Sequence, residues 1–203
     1  MDIERKRAAI EDLELVEAFR KDDASAFNIL VNKYKDVVFT VCLRYLGNRE
    51  EADDCAQDTF VKVFRGLKDF RARSSFSTWL YSIAVNTCKN RLLSLSHRYQ
   101  KKMARLDEFI ETDDGCMAFE IADGTTPPAE ELENRQQQAV IQNAINSLDV
   151  QQREILILRD IEGLSYEEIA EITANNPGTV KSRISRARLQ LKERLKERKI
   201  YGM

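Results

Sequence analysis

The stretch from Leu164 to Arg188, LSYEEIAEITANNPGTVKSRISRAR, constrains this chain more than any other. Ser165 and Glu168 form an S-x-x-E capping box, in which each side chain satisfies an orphaned amide at a helix start. Ile169, Ala170 and Ile172 give that helix an inward face. Apolar periodicity then stops at Thr173-Ala174-Asn175-Asn176, so the helix should end there. Asn176 is a good N-cap and Pro177 suits the first position of a second helix, where its missing N–H costs nothing. The pattern is helix, short turn, helix.

The second helix divides into two faces. Val180, Ile184, Ala187 and Leu191 follow each other at steps of four, three and four, one apolar stripe. Lys181, Ser182, Ser185, Arg186 and Leu189 fall on the other side. Arg or Lys donates well to guanine O6 and N7, and hydroxyls bond to bases or phosphates. The layout suits a helix placed in the major groove of DNA. A basic, solvated helix on a small helical domain is the bland alternative; the capping box, short turn and second cap together favour the groove reading.

Charge distribution sharpens this. The formal net charge is −2, yet the charges are in blocks. Arg71 to Leu106 holds eight basic residues and no acid; Asp107 to Glu133 holds ten acids and no base. Pro177 to Lys199 holds nine basic residues against Glu193 and Glu197. Each basic block attracts phosphate and the middle repels it. With 203 residues, 43 % hydrophobic and 33 % charged, the chain can form one large or two small helix-rich domains. It has no apolar run of about 18 residues that would span a membrane. The charged, amphipathic N-terminus does not resemble a secretion signal, so a cytoplasmic location is expected. Cys42, Cys55, Cys88 and Cys116 form no C-x-x-C pair, and the first three sit in apolar helical patterns as small hydrophobes. Neither a metal site nor a structural disulfide is expected, and no cofactor. His97 lies in a basic run with no catalytic partner in view.

The rest of the chain also reads as helices. Ala26 to Leu46 carries apolar residues at three- and four-residue steps, and Gly47 ends it in the C′ position. Asn48 caps a helix to about Leu67 that buries Ala52, Cys55, Ala56, Thr59 and Val63. Its other side shows Asp53, Asp54, Gln57, Asp58 and Val61, either a solvated face or a dock for a basic protein partner. The loop Asp69 to Ser75 leads into a helix from Phe76 to about Ser94, with Phe76, Leu80, Ile83, Ala84 and Thr87 inward. Aromatics, arginines, serines and asparagines crowd this region, a mixture able to stack unpaired bases and hold phosphates. Residues 97–127 read as an acidic, mostly extended linker between a lobe over 1–96 and a lobe over 128–203. A helix to about Ser147 follows, then one capped by Asp149 that runs through Glu162 and closes at Gly163. With no strand-like alternation, the fold class is all-α: two small helical domains, the C-terminal one a helix-turn-helix.

Two blocks resemble a known family. EADDCAQDTFVKVFRGLKDF followed by FSTWLYSIAVNTCKNRLL is similar to the second region of extracytoplasmic-function sigma factors of bacterial RNA polymerase. QQREILILRDIEGLSYEEIAEI with PGTVKSRISRARLQLKERL resembles their fourth region. The match spans about Asp23 to Leu95 and about Leu132 to Leu195, in the family's order. The resemblance implies a non-enzymatic polymerase subunit that selects and helps open promoters. It implies that Asp53, Asp54, Gln57 and Asp58, with Phe60, dock on the polymerase clamp helices. It implies that Phe70, Arg71, Arg73, Ser74, Ser75, Asn86 and Asn90 serve the −10 element. Lys181, Ser182, Ser185 and Arg186 would face the −35 element, with Thr179 and Arg183 on phosphates. An anti-sigma partner is also implied. One departure concerns the turn: the family usually carries glycine then an apolar residue, and here stand Ala174 and Asn175. Asparagine tolerates positive φ better than alanine, so the turn is expected to shift by one residue.

On this reading one lobe reads duplex DNA upstream and the other captures bases leaving the stack downstream. Free in solution, the linker should leave the lobes unaligned and DNA binding weak. Two rivals differ in kind. A polymerase-independent helix-turn-helix regulator would bind duplex tightly alone and would leave FSTWLYSIAVN unexplained. A nuclease would need a metal or a phosphate-cradling loop; only Asp53, Asp54 and Asp58 resemble a Mg²⁺ cluster, and a metal-dependent cleavage assay separates that case.

Overall fold

A computed structural model describes residues 2–106 and 129–201. The described residues form helices and no strand. The N-terminal lobe holds α1 (Asp2–Arg20), α2 (Ala24–Leu46), α3 (Arg49–Gly66), a 3₁₀ turn (Leu67–Asp69) and α4 (Phe76–Leu106). The C-terminal lobe holds α5 (Ala129–Asn146), α6 (Val150–Leu156), a π-helical turn (Ile157–Ile161), α7 (Tyr166–Thr173) and α8 (Pro177–Tyr201).

The caps sit where local chemistry puts them. Asp23 accepts from the Ser25 amide at 2.9 Å to start α2, and Gly47 ends it at φ +73°. Asn48 accepts from the Glu51 amide at 2.9 Å. Asp149 accepts from the amides of Gln151 and Gln152. The expected capping box is complete: Glu168 N–H donates to Ser165 Oγ at 3.2 Å, and Ser165 N–H to Glu168 Oε2 at 2.7 Å. Asn176 Oδ1 takes the Thr179 amide at 2.7 Å and Pro177 opens α8.

Three expectations need correction. First, α4 continues past Ser94, to Leu106. No glycine or proline lies between Ser94 and Leu106, and lysine, methionine, arginine and leucine propagate a helix well. Of the acidic linker, residues 107–127 lie outside the described residues. Second, the turn between α7 and α8 does not shift to asparagine. Ala174 itself takes the left-handed conformation at φ +52° and ψ +41°. Its N–H and that of Asn175 close back on α7 carbonyls, the Asn175 bond to Ala170 O being 2.9 Å. These closing bonds fix the left-handed position one residue past Thr173, and alanine occupies it.

A left-handed alanine costs roughly 1–2 kcal/mol, and glycine returns part of any relief as unfolded-chain entropy. Ala174→Gly should therefore raise stability by about 0.5–1 kcal/mol in urea unfolding. Equal or lower stability would contradict the assignment of strain to that residue.

Third, the lobes are docked, not unaligned. The buried apolar cluster is continuous from Val16, Val41 and Leu80 in one lobe to Ile157, Ile169 and Val180 in the other. Polar bonds cross the seam. Arg153 Nη1 donates to Tyr45 O at 2.6 Å. Gln142 Nε2 donates to Arg44 O at 3.0 Å, and Arg44 Nη1 returns a bond to Gln142 Oε1 at 3.1 Å. Tyr81 OH donates to Glu162 Oε2 at 2.9 Å. Lys89 Nζ lies 2.8 Å from Glu154 Oε1. Burial holds the Glu154 and Glu162 carboxyls above the ordinary glutamate range, against the lowering effect of Lys89 and Tyr81 respectively. At Gly47 the approach is so close that an added Cβ would lie 2.2 Å from Asn146 Nδ2. Linker composition carries no trace of these contacts, because they join residues far apart in the chain, on either side of the linker.

Candidate nucleic-acid interface

The C-terminal site is built on α8. Val180, Ile184 and Ala187 are buried and Leu191 is partly buried, so the apolar stripe faces the lobe core. Lys181, Ser182, Ser185 and Arg186 are exposed, as are Arg188 and Leu189. At about 100° per residue, Lys181 to Leu189 by way of Ser182, Ser185 and Arg186 covers an arc of about 140° opposite the buried stripe. Thr179 and Arg183 are half-buried, both past the Arg186 end of that arc. The exposed face is cationic and hydroxylated, as the sequence indicated. Ser182 Oγ donates to Thr179 O at 2.9 Å, which leaves its lone pairs outward. Arg188, not singled out by the sequence, pairs with Asp160 of the π-helical turn, its Nε lying 3.1 Å from Asp160 Oδ2. That pair braces α8 against the element before α7.

The N-terminal site is the loop 70–75 and the outer side of α4. The loop crosses Ala72 in a left-handed conformation, φ +50°, and exposes Arg71 and Arg73 on either side. Phe70 is buried, its ring 4.9 Å from Trp79 and 6.2 Å from Phe76 between centroids. It anchors the loop rather than presenting a free ring. Ser74 and Ser75 are half-buried. Ser75 caps α4: its Oγ accepts from the Thr78 amide at 3.1 Å and bonds the Ser77 and Thr78 hydroxyls at 2.9 and 2.8 Å. Asn86 and Asn90 are both exposed, one turn apart on the same side of α4. The seam with the C-terminal lobe uses Tyr81 and Lys89 on a different side, so docking leaves both asparagines open. Arg20, which the sequence did not flag, donates to Phe70 O and ties the loop to α1.

The third surface is α3. Asp53, Asp54, Gln57 and Asp58 are exposed along one side, opposite buried Ala52, Cys55, Ala56, Thr59 and Val63. Gln57 Nε2 donates to Asp53 Oδ2 at 3.0 Å. Arg91 of α4 donates to Asp54 Oδ2 at 2.9 Å and also to Glu51. The acidic strip is therefore partly neutralised at its α4 edge, a cross-helix pair that helical spacing within one segment does not reveal. Phe60 is half-buried and packs on the core, while Val61 and Phe64 are about half exposed beside the strip.

Helix packing also gathers Cys42, Cys55 and Cys88, which the sequence scatters. All three are buried thiols whose sulfurs lie within 4.8 Å of one another.

Residues 30–98 match the Sigma-70 region 2 family and residues 138–191 the Sigma-70, region 4 family. The chain belongs to the sigma-70 family of transcription initiation factors. It is similar to the RNA polymerase sigma-H factor of Pseudomonas aeruginosa, 37 % identical over 180 residues, covering 88 % of this chain and 90 % of that one. The ECF RNA polymerase sigma-E factor of Haemophilus influenzae is also 37 % identical, over 91 % of this chain and 95 % of its own. The Bartonella quintana sigma factor RpoE, solved with the anti-sigma factor NepR, shares 27 % identity at TM-score 0.60 over 84 % of this chain and 96 % of that one. CnrH, solved with the cytosolic domain of CnrY, is 24 % identical at TM-score 0.65 over 92 % of this chain and 98 % of its own, a likeness of fold.

Within the sigma-70 family this is an extracytoplasmic-function (ECF) sigma factor. It is not an enzyme: it binds core RNA polymerase and directs promoter recognition, DNA melting and initiation. No helix among the described residues is long and apolar enough to cross a membrane.

Proposed function

We propose that three surfaces of this ECF sigma factor divide the work of initiation. The exposed face of α8 reads the −35 element as duplex, with Lys181, Ser182, Ser185 and Arg186 toward base edges and Thr179 and Arg183 toward phosphates. Arg71, Arg73, Ser74 and Ser75, on a loop anchored by Phe70, join Asn86 and Asn90 to hold an unstacked base of the −10 element. The acidic side of α3, Asp53, Asp54, Gln57 and Asp58 with Phe60, docks on the polymerase. One observation carries the reading: two DNA-suited faces, on α4 and α8, share the chain with an acidic face unsuited to DNA. An anti-sigma factor regulates it, by analogy with the Bartonella relative solved with its own. It acts in the cytoplasm, where the polymerase is.

Arg186→Ala tests the assignment at one base. A bidentate arginine–guanine contact gives about 1–3 kcal/mol of discrimination. A holoenzyme selection over a randomised −35 element should show one position relaxed by about tenfold to a hundredfold, with the others unchanged. An unaltered preference at every position would remove Arg186 from base readout.

A further inference from the structure

We propose that Cys42, Cys55 and Cys88 form a three-thiolate site for one soft monovalent cation of the Cu(I) type, in the core of the N-terminal lobe. The ligands come from three helices, α2, α3 and α4, that pack on one another. Their sulfurs all lie within 4.8 Å of each other, and Cys55 Sγ is 3.9 Å from Cys88 Sγ. A cation bonded to thiolates at about 2.3 Å, centred in a triangle of three, sets them about 4 Å apart. The observed spacing meets that need with small side-chain adjustments.

The ligand count selects the metal. Structural zinc takes four ligands in a tetrahedron. Among the described residues the cluster offers three ligand residues, Cys42, Cys55 and Cys88. All three cysteines are at most 2 % exposed, so no open coordination position faces solvent. Soft thiolates favour Cu(I), which accepts three-coordination. Binding releases the three thiol protons to solvent, and three thiolates around a monovalent cation leave excess negative charge. Lys62 and Arg91 both place positive charge toward Cys55, and Lys62 Nζ donates to Thr87 Oγ1, next to Cys88, at 2.9 Å. A disulfide between Cys55 and Cys88 would leave the third sulfur without a role, whereas a metal uses all three. Loading would lock α2, α3 and α4 together beneath the face that carries Asn86.

The test uses the full chain, purified reduced and without oxygen, titrated with Cu(I) against a chromogenic Cu(I) chelator. One Cu(I) per chain is expected, with three sulfur neighbours at about 2.3 Å by X-ray absorption. Affinity should fall at least tenfold in Cys55→Ala and in Cys88→Ala and stay unchanged in Cys116→Ala. The absorption spectrum of the parent chain needs no variant to fold. Copper wholly lost to the chelator, two sulfur neighbours rather than three, loss of binding in Cys116→Ala, or preferential retention of Zn(II) would each overturn the site. So would a Cys55–Cys88 disulfide that forms in place of copper binding when copper and air are supplied together.

Discussion

Asn86→Ala should cut promoter opening by about tenfold to a hundredfold while leaving holoenzyme assembly intact. Extruding a base from the stack costs a few kcal/mol, and the pocket that receives it must recover that amount. A side-chain amide that pairs with the base edge contributes on the order of 1–3 kcal/mol, the size of a good base contact. Asn86 is exposed on α4 and clear of the seam with the C-terminal lobe, so its loss should not disturb folding. Permanganate reactivity of −10 thymines measures opening directly, and gel filtration with core polymerase measures assembly. Equal reactivity for parent and variant would exclude Asn86 from base capture. Loss of assembly would place it in the polymerase contact instead.

Arg153→Ala should destabilise the docked chain by about 3–5 kcal/mol, a large part of a typical domain's stability. Arg153 is a buried cation, 7 % exposed, at the seam. It donates to Tyr45 O across the seam and to Asn146 O and Leu148 O at the end of α5. Bonds from a charged donor contribute about 1.5–3 kcal/mol each, and truncation also strands buried carbonyls. Two effects should separate by method. The C-terminal lobe should unfold at lower urea concentration, and the distance between labels on α3 and α8 should broaden. Arg153→Lys keeps the charge and one donor nitrogen in place of the guanidinium fork, so it should recover part of both. A variant with parent stability and an unchanged inter-lobe distance would mean the seam does not depend on this guanidinium.

The helices were legible because their signals are local. Capping residues Asn48, Asp149, Ser165 and Asn176 act within three residues of themselves, and the inward faces of α3 and α8 follow from period 3.6 alone. The same periodicity placed Asp53, Asp58, Lys181 and Arg186 outward, so much of the candidate site could be read before the fold. What escaped is non-local. Arg153, Gln142 and Lys89 read as ordinary polar helix residues until their partners Tyr45, Arg44 and Glu154 arrive from the other lobe. Arg91 against Asp54 and Arg20 against Phe70 are of the same kind. The three thiols look unrelated because their proximity is a property of helix packing, not of spacing. Ala174 failed differently: the local preference for asparagine at positive φ was real, but the closing bonds onto Ala170 and Glu171 fixed which residue must take that conformation.

This chain confers promoter choice on a polymerase that lacks it. Core RNA polymerase free of sigma factor, mixed with the purified chain and a library of randomised promoters, measures that directly through sequenced run-off transcripts. A stable holoenzyme is expected, with transcripts enriched for two fixed elements, upstream and downstream, and with Arg186→Ala altering only the upstream one. A chain that never joins the core enzyme at any salt concentration, or a holoenzyme whose transcripts are no more selective than those of core alone, would contradict it.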